Sequence, residues 1–345
     1  MKILVTGGCG FIGQHLVERL SSTSMVSSIW VLDSLDHVAT GKERVSNLAK
    51  LVVGNVCDAD LVDNLLQQKN ASGTPAKPFD LVMHLAAQSH VDASLKDSQT
   101  TMYVNAVGTQ VVASACSYHN VPMLYCSTDE VYGPADITEN GGVEEKDESH
   151  ALMPSSPYSA GKAAGELAVR AEGRSFGLRF AITRGCNAFG PNQYPEKLIP
   201  IACRLLQRGE AVPLHGGGEQ IRQWVHVEEF AEALLRIGMK MVGVGLDYDT
   251  YNIAGPRRAS VAETVRELSA HCGWRKRFSN ATGFPTANRP GQDEAYAVNG
   301  DRFEVEFGWK PKRDLFDSAE LDSLVNSYNP EGDVVLARYA NSATA

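Results

Sequence analysis

Apolar residues fall into short continuous runs, separated by stretches where they recur at helical spacing. Residues 2–5 form one such run, closed by glycine, and predict a buried strand. Gly7-Gly8-Cys9-Gly10-Phe11-Ile12-Gly13 follows, then a helical pattern through Leu16, Val17 and Leu20. Residues 28–32 are a second run, ending in Asp33, and 51–53 a third. Residues 59–68 place Leu61, Leu65 and Leu66 on one helical face. Residues 71–78, polar with Pro and Gly, predict a surface loop. Residues 79–85, 121–126 and 179–185 predict further strands; 100–119 and 157–173 predict helices. This alternation implies an α/β fold, a Rossmann doubly wound parallel sheet with helices on both faces.

Beyond about residue 187 the pattern loosens. Pro191, Pro195, Pro200, Pro213, Gly216-Gly217-Gly218 and Pro256 punctuate shorter elements, which predict a smaller α+β domain. Residues 225–254 contain a helix and a strand able to return to the main sheet. The division is therefore 1–186 with a return segment at 225–254, then 187–224 with 255–329, and a polar, loosely ordered tail at 330–345. Residues 134–153 are acidic (Glu139, Glu144, Glu145, Asp147, Glu148) and predict an exposed loop, with a mobile lid as the sharper alternative.

Composition narrows the class. A chain of 345 residues, 43% hydrophobic, buries one large core or two joined ones. A net charge of −9 argues against nucleic acid or an anionic membrane as partner, though local basic residues still bind a small anion. Seven scattered Cys, with no C-x-x-C pair, offer neither a disulfide framework nor a metal site, which suits a reducing cytosol and a cytoplasmic protein. The first apolar run is too short for a signal peptide, and no run approaches the ~18 apolar residues of a membrane span.

Three clusters carry chemistry. The first is the glycine turn, readable as Gly8-x-Gly10-x-x-Gly13 or Gly7-x-x-Gly10-x-x-Gly13. It follows a strand and opens a helix, and Asp33 ends the next strand. That context fits a dinucleotide fingerprint, with pyrophosphate at the helix N-terminus and Asp33 accepting from the ribose hydroxyls; the carboxylate favours NAD over NADP. Asp58 either accepts from the adenine amino group or caps the helix that begins at Ala59. The second cluster is Ser127-Thr128-Asp129-Glu130-Val131-Tyr132-Gly133, a hydroxyl and two carboxylates where a strand should end. The third is Tyr158-Ser159-Ala160-Gly161-Lys162, which puts a phenol and an ammonium on one helix face, where the cation favours the phenolate.

Together with His84-Leu85-Ala86-Ala87-Gln88-Ser89-His90, Pro195-Glu196-Lys197-Leu198-Ile199-Pro200 and Gln220-Ile221-Arg222-Gln223-Trp224, these stretches resemble the extended short-chain dehydrogenase/reductase family, in its nucleotide-sugar 4,6-dehydratase branch. The resemblance covers roughly residues 1–310. It implies an NAD-dependent enzyme that removes water from an NDP-hexose of the dTDP-glucose or UDP-glucose type. Thr128, Asp129, Glu130, Tyr158 and Lys162 would be catalytic. Tyr158 would take the 4-OH proton, Glu130 the C5 proton, and Asp129 would protonate the departing 6-OH. It places Phe11, Ile12, Val56, Leu85, Ala86, Ala87 and Asn105 near NAD. It places Ser89, His90, Thr128, Asn187, Lys197, Leu198, Pro213, His215, Arg222, Asn252 and Tyr296 near the nucleotide sugar. Lys197 and Arg222 suit a diphosphate by charge. Asn187 is equally readable as a turn cap and His215 as a loop histidine. A homodimer through the helices at 100–119 and 157–173 is also implied.

Two departures stand out. Ala93 follows Val91-Asp92 where the family often has arginine. Glu294-Ala295 precedes Tyr296 where the family carries a basic residue, which removes positive charge beside the diphosphate and leaves the nucleotide open. Two rival readings are a nucleotide-sugar 4-epimerase, which would carry small or hydroxyl residues in place of Asp129-Glu130, and a non-catalytic NAD-binding regulatory protein.

Overall fold

The β-strand side chains alternate between two apolar layers, and that alternation builds the main sheet. Ile3 and Val5 enter one core and Leu4 the other; Leu124 and Cys126 face one side, Met123 and Tyr125 the opposite one. The computed structural model describes residues 1–36, 39–67, 79–140, 142–271, 283–286, 291 and 293–328. The expected surface loop at 71–78 and the tail at 330–345 lie outside the described residues.

Seven parallel strands form the sheet: β1 (Lys2–Thr6), β2 (Ser28–Asp33), β3 (Lys50–Val53), β4 (Leu81–His84), β5 (Met123–Thr128), β6 (Phe180–Gly185) and, returning late in the chain, β10 (Thr250–Ile253). Their order is β10-β6-β5-β4-β1-β2-β3. The order reverses between β1 and β4, whose residues Ile3 to Thr6 pair with Leu81 to His84. A crevice opens there, beyond the carboxyl ends of the strands.

Helices Phe11–Ser21 and Val227–Val242 cover one face of the sheet. Helices Ala59–Gln67, Thr109–Tyr118 and Pro157–Phe176 cover the other. The last of these starts cleanly. Ser156 and Ser159 form a reciprocal capping box, Pro157 occupies the first turn, and Gly177 ends the helix at φ +77°.

The helix expected over 100–119 is not continuous. It runs as Ser98–Met102, a π-helical segment Tyr103–Gly108, then Thr109–Tyr118. The apolar spacing does not register the extra residue of the π turn. Asn105 lies in that turn and packs at Gly161 of the neighbouring helix, where a Cβ would sit 2.9 Å from the Asn105 Cβ.

A second core gathers Phe189, Ile199, Leu206, Trp224, Leu268, Leu321 and Leu324. Its strands are β7 (Asn187–Phe189), β8 (Val212–His215), β9 (Ile221–His226), β11 (Arg257–Ser260) and β12 (Gly283–Thr286). They form a three-stranded sheet β11-β9-β7 and a pair β12-β8. The acidic segment at 134–153 is fastened rather than free. Ala135 donates to the Ala295 carbonyl, Lys146 to Ala297, and the Glu148 carboxylate accepts from the Asn252 backbone at 2.7 Å. No helix among the described residues is long and apolar enough to cross a membrane.

Candidate active site

A cavity of about 460 Å³ opens at the strand-order reversal and extends toward the second core. Its floor is the glycine turn. Gly7 has φ +70°, and a Cβ there would sit 2.6 Å from the Ala86 nitrogen. At Gly13 a Cβ would lie 2.3 Å from the Gly7 carbonyl. Gly10 is the helix N-cap and its side-chain position is nearly open. Gly7, Gly10, Phe11, Ile12 and Gly13 line the cavity, whereas a Cβ on Gly8 would run into Val31, away from it. The Gly7-x-x-Gly10-x-x-Gly13 reading thus describes the cradle, and its bare backbone beside a helix N-terminus fits a dinucleotide pyrophosphate.

Asp33 lines the same cavity. One carboxylate oxygen accepts from Cys9 N at 2.8 Å and the other from Leu35 N at 2.9 Å; each oxygen retains a lone pair for a ribose hydroxyl. Burial raises its pKa above the usual range, against the pull of those two amides. Val56, Leu85, Ala86 and Ala87 also line the cavity. Asn105 does not. It is fully buried behind the wall, accepting from Gln88 N at 2.8 Å and donating to the Gln88 carbonyl at 3.1 Å, so it holds the 85–88 backbone in place. Asp58 is exposed, lies outside the cavity and accepts from Leu61 N at 3.0 Å, the helix-capping alternative.

β5 ends at Thr128, and Asp129–Tyr132 turn as a 3-10 helix into Gly133 at φ +74°. Thr128 caps that turn, its hydroxyl accepting from Glu130 N at 3.3 Å and donating to Asp129 Oδ1 at 3.2 Å. Asp129 is only 3% exposed and its Oδ2 has no partner. Burial, then the adjacent Glu130 charge, pushes its carboxyl up to about 7. A carboxyl that stays protonated up to about pH 7, with an unpaired oxygen in a cavity wall, is suited to donate a proton. Glu130 also lines the cavity.

Tyr158 and Lys162 line the cavity from the helix Pro157–Phe176. Lys162 is buried, donates to the Cys126 carbonyl at 2.5 Å and lies 4.4 Å from the Tyr125 ring centroid. Burial lowers its pKa to about 8. Burial and the Glu130 charge hold the Tyr158 phenol well above an ordinary phenol, while the Thr128 hydroxyl pulls it down. Ser159, inside the same motif, is spent on the capping box.

Ser89, His90, Asn187, Lys197, Leu198, His215, Arg222 and Tyr296 line the cavity toward the second core. Lys197 donates to the Ser89 carbonyl at 3.0 Å, and His90 faces Glu196 at 3.3 Å. The Arg222 guanidinium stacks 4.5 Å from the Tyr296 ring centroid and donates to the Asp293 carbonyl. Ala295 is fully buried in a bridge to Ile221 and Glu294 is exposed; neither lines the cavity. Pro213 lies outside the lining as well. Asn252 is buried away from the cavity, bonded to Tyr132, Lys146 and Asn299. Sequence reasoning named Ser127 and Trp224 within motifs but gave them no site role, and it did not name Gln193. Each lines the cavity with a buried polar atom that lacks a partner. Ser127 carried a signal, since it precedes Thr128 at the strand end.

The model of the NAD dependent epimerase/dehydratase family matches residues 3–254. The chain is 33% identical to a dTDP-glucose 4,6-dehydratase of Mycolicibacterium smegmatis, over 98% of each protein. It superposes on the crystal structure of a dTDP-glucose 4,6-dehydratase from Streptomyces venezuelae, solved with NAD bound, at TM-score 0.81 and 32% identity, covering 95% of this chain and 97% of that one. A UDP-glucose 4-epimerase from Thermotoga maritima is close behind, at TM-score 0.80 and 25% identity, covering 95% of this chain and 98% of that one. The fold alone therefore does not separate dehydration from epimerisation.

Proposed function

The chain belongs to the NAD dependent epimerase/dehydratase family, and from that premise we propose that it is a lyase converting an NDP-hexose to the NDP-4-keto-6-deoxyhexose. The observation that carries this reading is the Asp129-Glu130 pair at the mouth of β5, one carboxyl raised to about 7 so that much of it is protonated at neutral pH, within the cavity that Tyr158 lines. An epimerase needs only the redox half of this machinery; two neighbouring acids suit elimination across adjacent carbons.

Gly7, Gly10, Gly13, Asp33 and the backbone at Ala86 and Ala87 would hold NAD, with Lys162 at its reacting end. Bound there, NAD would supply a hydride acceptor for sugar C4 and a hydride donor for C6. Tyr158 removes the 4-OH proton. Its phenol is raised in the free protein, so it becomes a base only with positive charge alongside, which Lys162 provides in part. Thr128 bonds the 4-oxygen. Once C4 is a ketone, the C5 proton is acidic and Glu130 takes it. Asp129 protonates the 6-OH, water departs, and Glu130 gives a proton back to C5 as C6 receives the hydride. Lys197 and Arg222 hold the diphosphate.

We extend the same reading to assembly. Tyr103, Val107, Leu167 and Phe176 are exposed on the helical layer made by the 98–118 region and Pro157–Phe176, and an apolar face of this kind suits a homodimer. The six described cysteines are free thiols, which suits a cytosolic setting.

Turnover in D2O tests the assignment of Glu130. Wild-type product should carry solvent deuterium at C5, and Glu130→Gln should abolish that uptake. Unchanged uptake would remove Glu130 from the mechanism.

A further inference from the structure

Behind the two acids lies a buried ion pair that the reaction itself does not use. Arg184, in β6, donates from Nε to both Glu166 oxygens at 3.1 Å and from Nη2 to Glu166 Oε2 at 2.7 Å. Glu166 is fully buried and Arg184 3% exposed. The remaining arm of the guanidinium, Nη1, donates to the Tyr132 hydroxyl at 2.7 Å and lies over its ring, 4.6 Å from centroid to Cζ. That hydroxyl in turn donates to Asn252 Oδ1 at 2.8 Å. The four residues come from four elements. Glu166 stands on the same helix as Tyr158 and Lys162 at successive four-residue steps, so all three share one face. Arg184 pairs in register with Ser127 of β5 on one side and Asn252 of β10 on the other. Tyr132 is the last residue of the turn that begins with Asp129 and Glu130.

We propose that Glu166, Arg184 and Tyr132 are positioning residues that hold the elimination acids in register with the hydride-transfer pair. The inference rests on the dehydratase reading. A guanidinium with three bonds to one carboxylate has one orientation, and its free arm then fixes where the Tyr132 hydroxyl sits. Asn252 holds that hydroxyl from the far side, and the Asn252 amide is itself anchored to the Lys146 and Asn299 carbonyls. The chain of bonds thus ties the end of the acid-bearing turn to the helix carrying Tyr158 and Lys162. Oxidation at C4 needs only that helix and Thr128. Water loss at C5 and C6 needs the turn as well. Weakening the tether should therefore harm elimination and spare oxidation.

Tyr132→Phe deletes the hydroxyl while keeping the ring over Arg184. Single-turnover mixing of the NAD-loaded protein with an NDP-hexose follows oxidation as the rise of reduced-nicotinamide absorbance and elimination with hydride return as its decay. The rise should stay within about twofold of wild type, and the decay should slow at least about tenfold, so that reduced cofactor accumulates. Amide hydrogen exchange over residues 129–133 should quicken, while the helix Pro157–Phe176 stays protected. Arg184→Lys, which keeps the charge and loses the fork, should show the same split. If rise and decay slow together, or neither changes, the positioning role is wrong. If wild-type protein oxidises or isomerises the sugar without losing water, the dehydratase reading fails, and the exchange experiment still reports whether the tether holds the turn.

Discussion

Asp129 sets the pH behaviour of the site. Its carboxyl is raised to about 7 by burial and by Glu130, above the ~3.9 of an unfolded aspartate. The acid must be protonated to act, so kcat/KM for water loss is predicted to fall as pH climbs through about 7, and this limb should be absent from the residual activity of Asp129→Asn. The same shift has a stability sign. Because the folded pKa lies above the unfolded one, the contribution of the neutral carboxyl is fully present below about pH 4 and is lost as pH rises through about 7. Asp129→Asn, always neutral, should gain on the order of 1–4 kcal/mol over wild type in urea melts above pH 7 and nothing in the acid range. Arg184→Met is the contrasting case. It leaves the buried Glu166 charge without its partner and should cost about 3–5 kcal/mol in the same melts.

At the scale of elements, the turn after β1 is the least tolerant stretch. Gly13→Ala places a methyl group 2.3 Å from a backbone carbonyl, which cannot swing aside as a side chain does. Loss of NAD binding by calorimetry, with a stability cost of about 1–3 kcal/mol, is the expected outcome. This turn was legible because it needs glycine for reasons local to a few residues. So were the central strands β1, β4, β5 and β6, because a strand buried on both faces reads as a largely continuous apolar run. The Thr128-Asp129-Glu130 and Tyr158/Lys162 clusters stood out only in company with the glycine turn, since each alone reads as an ordinary strand-end turn or helix surface. What the sequence hid depends on distant partners. Nothing near Asn105 announces a π turn, and the Gly161 it packs against stands on another helix. Asp58 reads as a ligand or a cap, and only the Leu61 amide shows the cap. Pro213 sits near His215 in the chain yet outside the cavity, and the partners that fix Asn252 and Arg184 (Tyr132, Lys146, Asn299 and Glu166) are all distant from them in sequence.

At the scale of the whole molecule, the cavity joins two cores, with the cofactor cradle on the main sheet and the cations Lys197 and Arg222 on the smaller part. The exposed apolar side chains on the helical layer lie on an outer surface of the molecule. A homodimer formed there should dissociate in Leu167→Glu, with sedimentation velocity reporting half the wild-type mass while NAD binding persists. The central claim is that this one cavity couples sugar oxidation to loss of water with no net redox change. The direct measurement is product mass after incubation of the NAD-loaded protein with dTDP-, UDP-, CDP- and GDP-hexoses, with reduced cofactor followed in the same samples. The account predicts that one donor loses one water and that no reduced cofactor remains at the end. A donor that changes stereochemistry at unchanged mass, or silence on every donor, would contradict it.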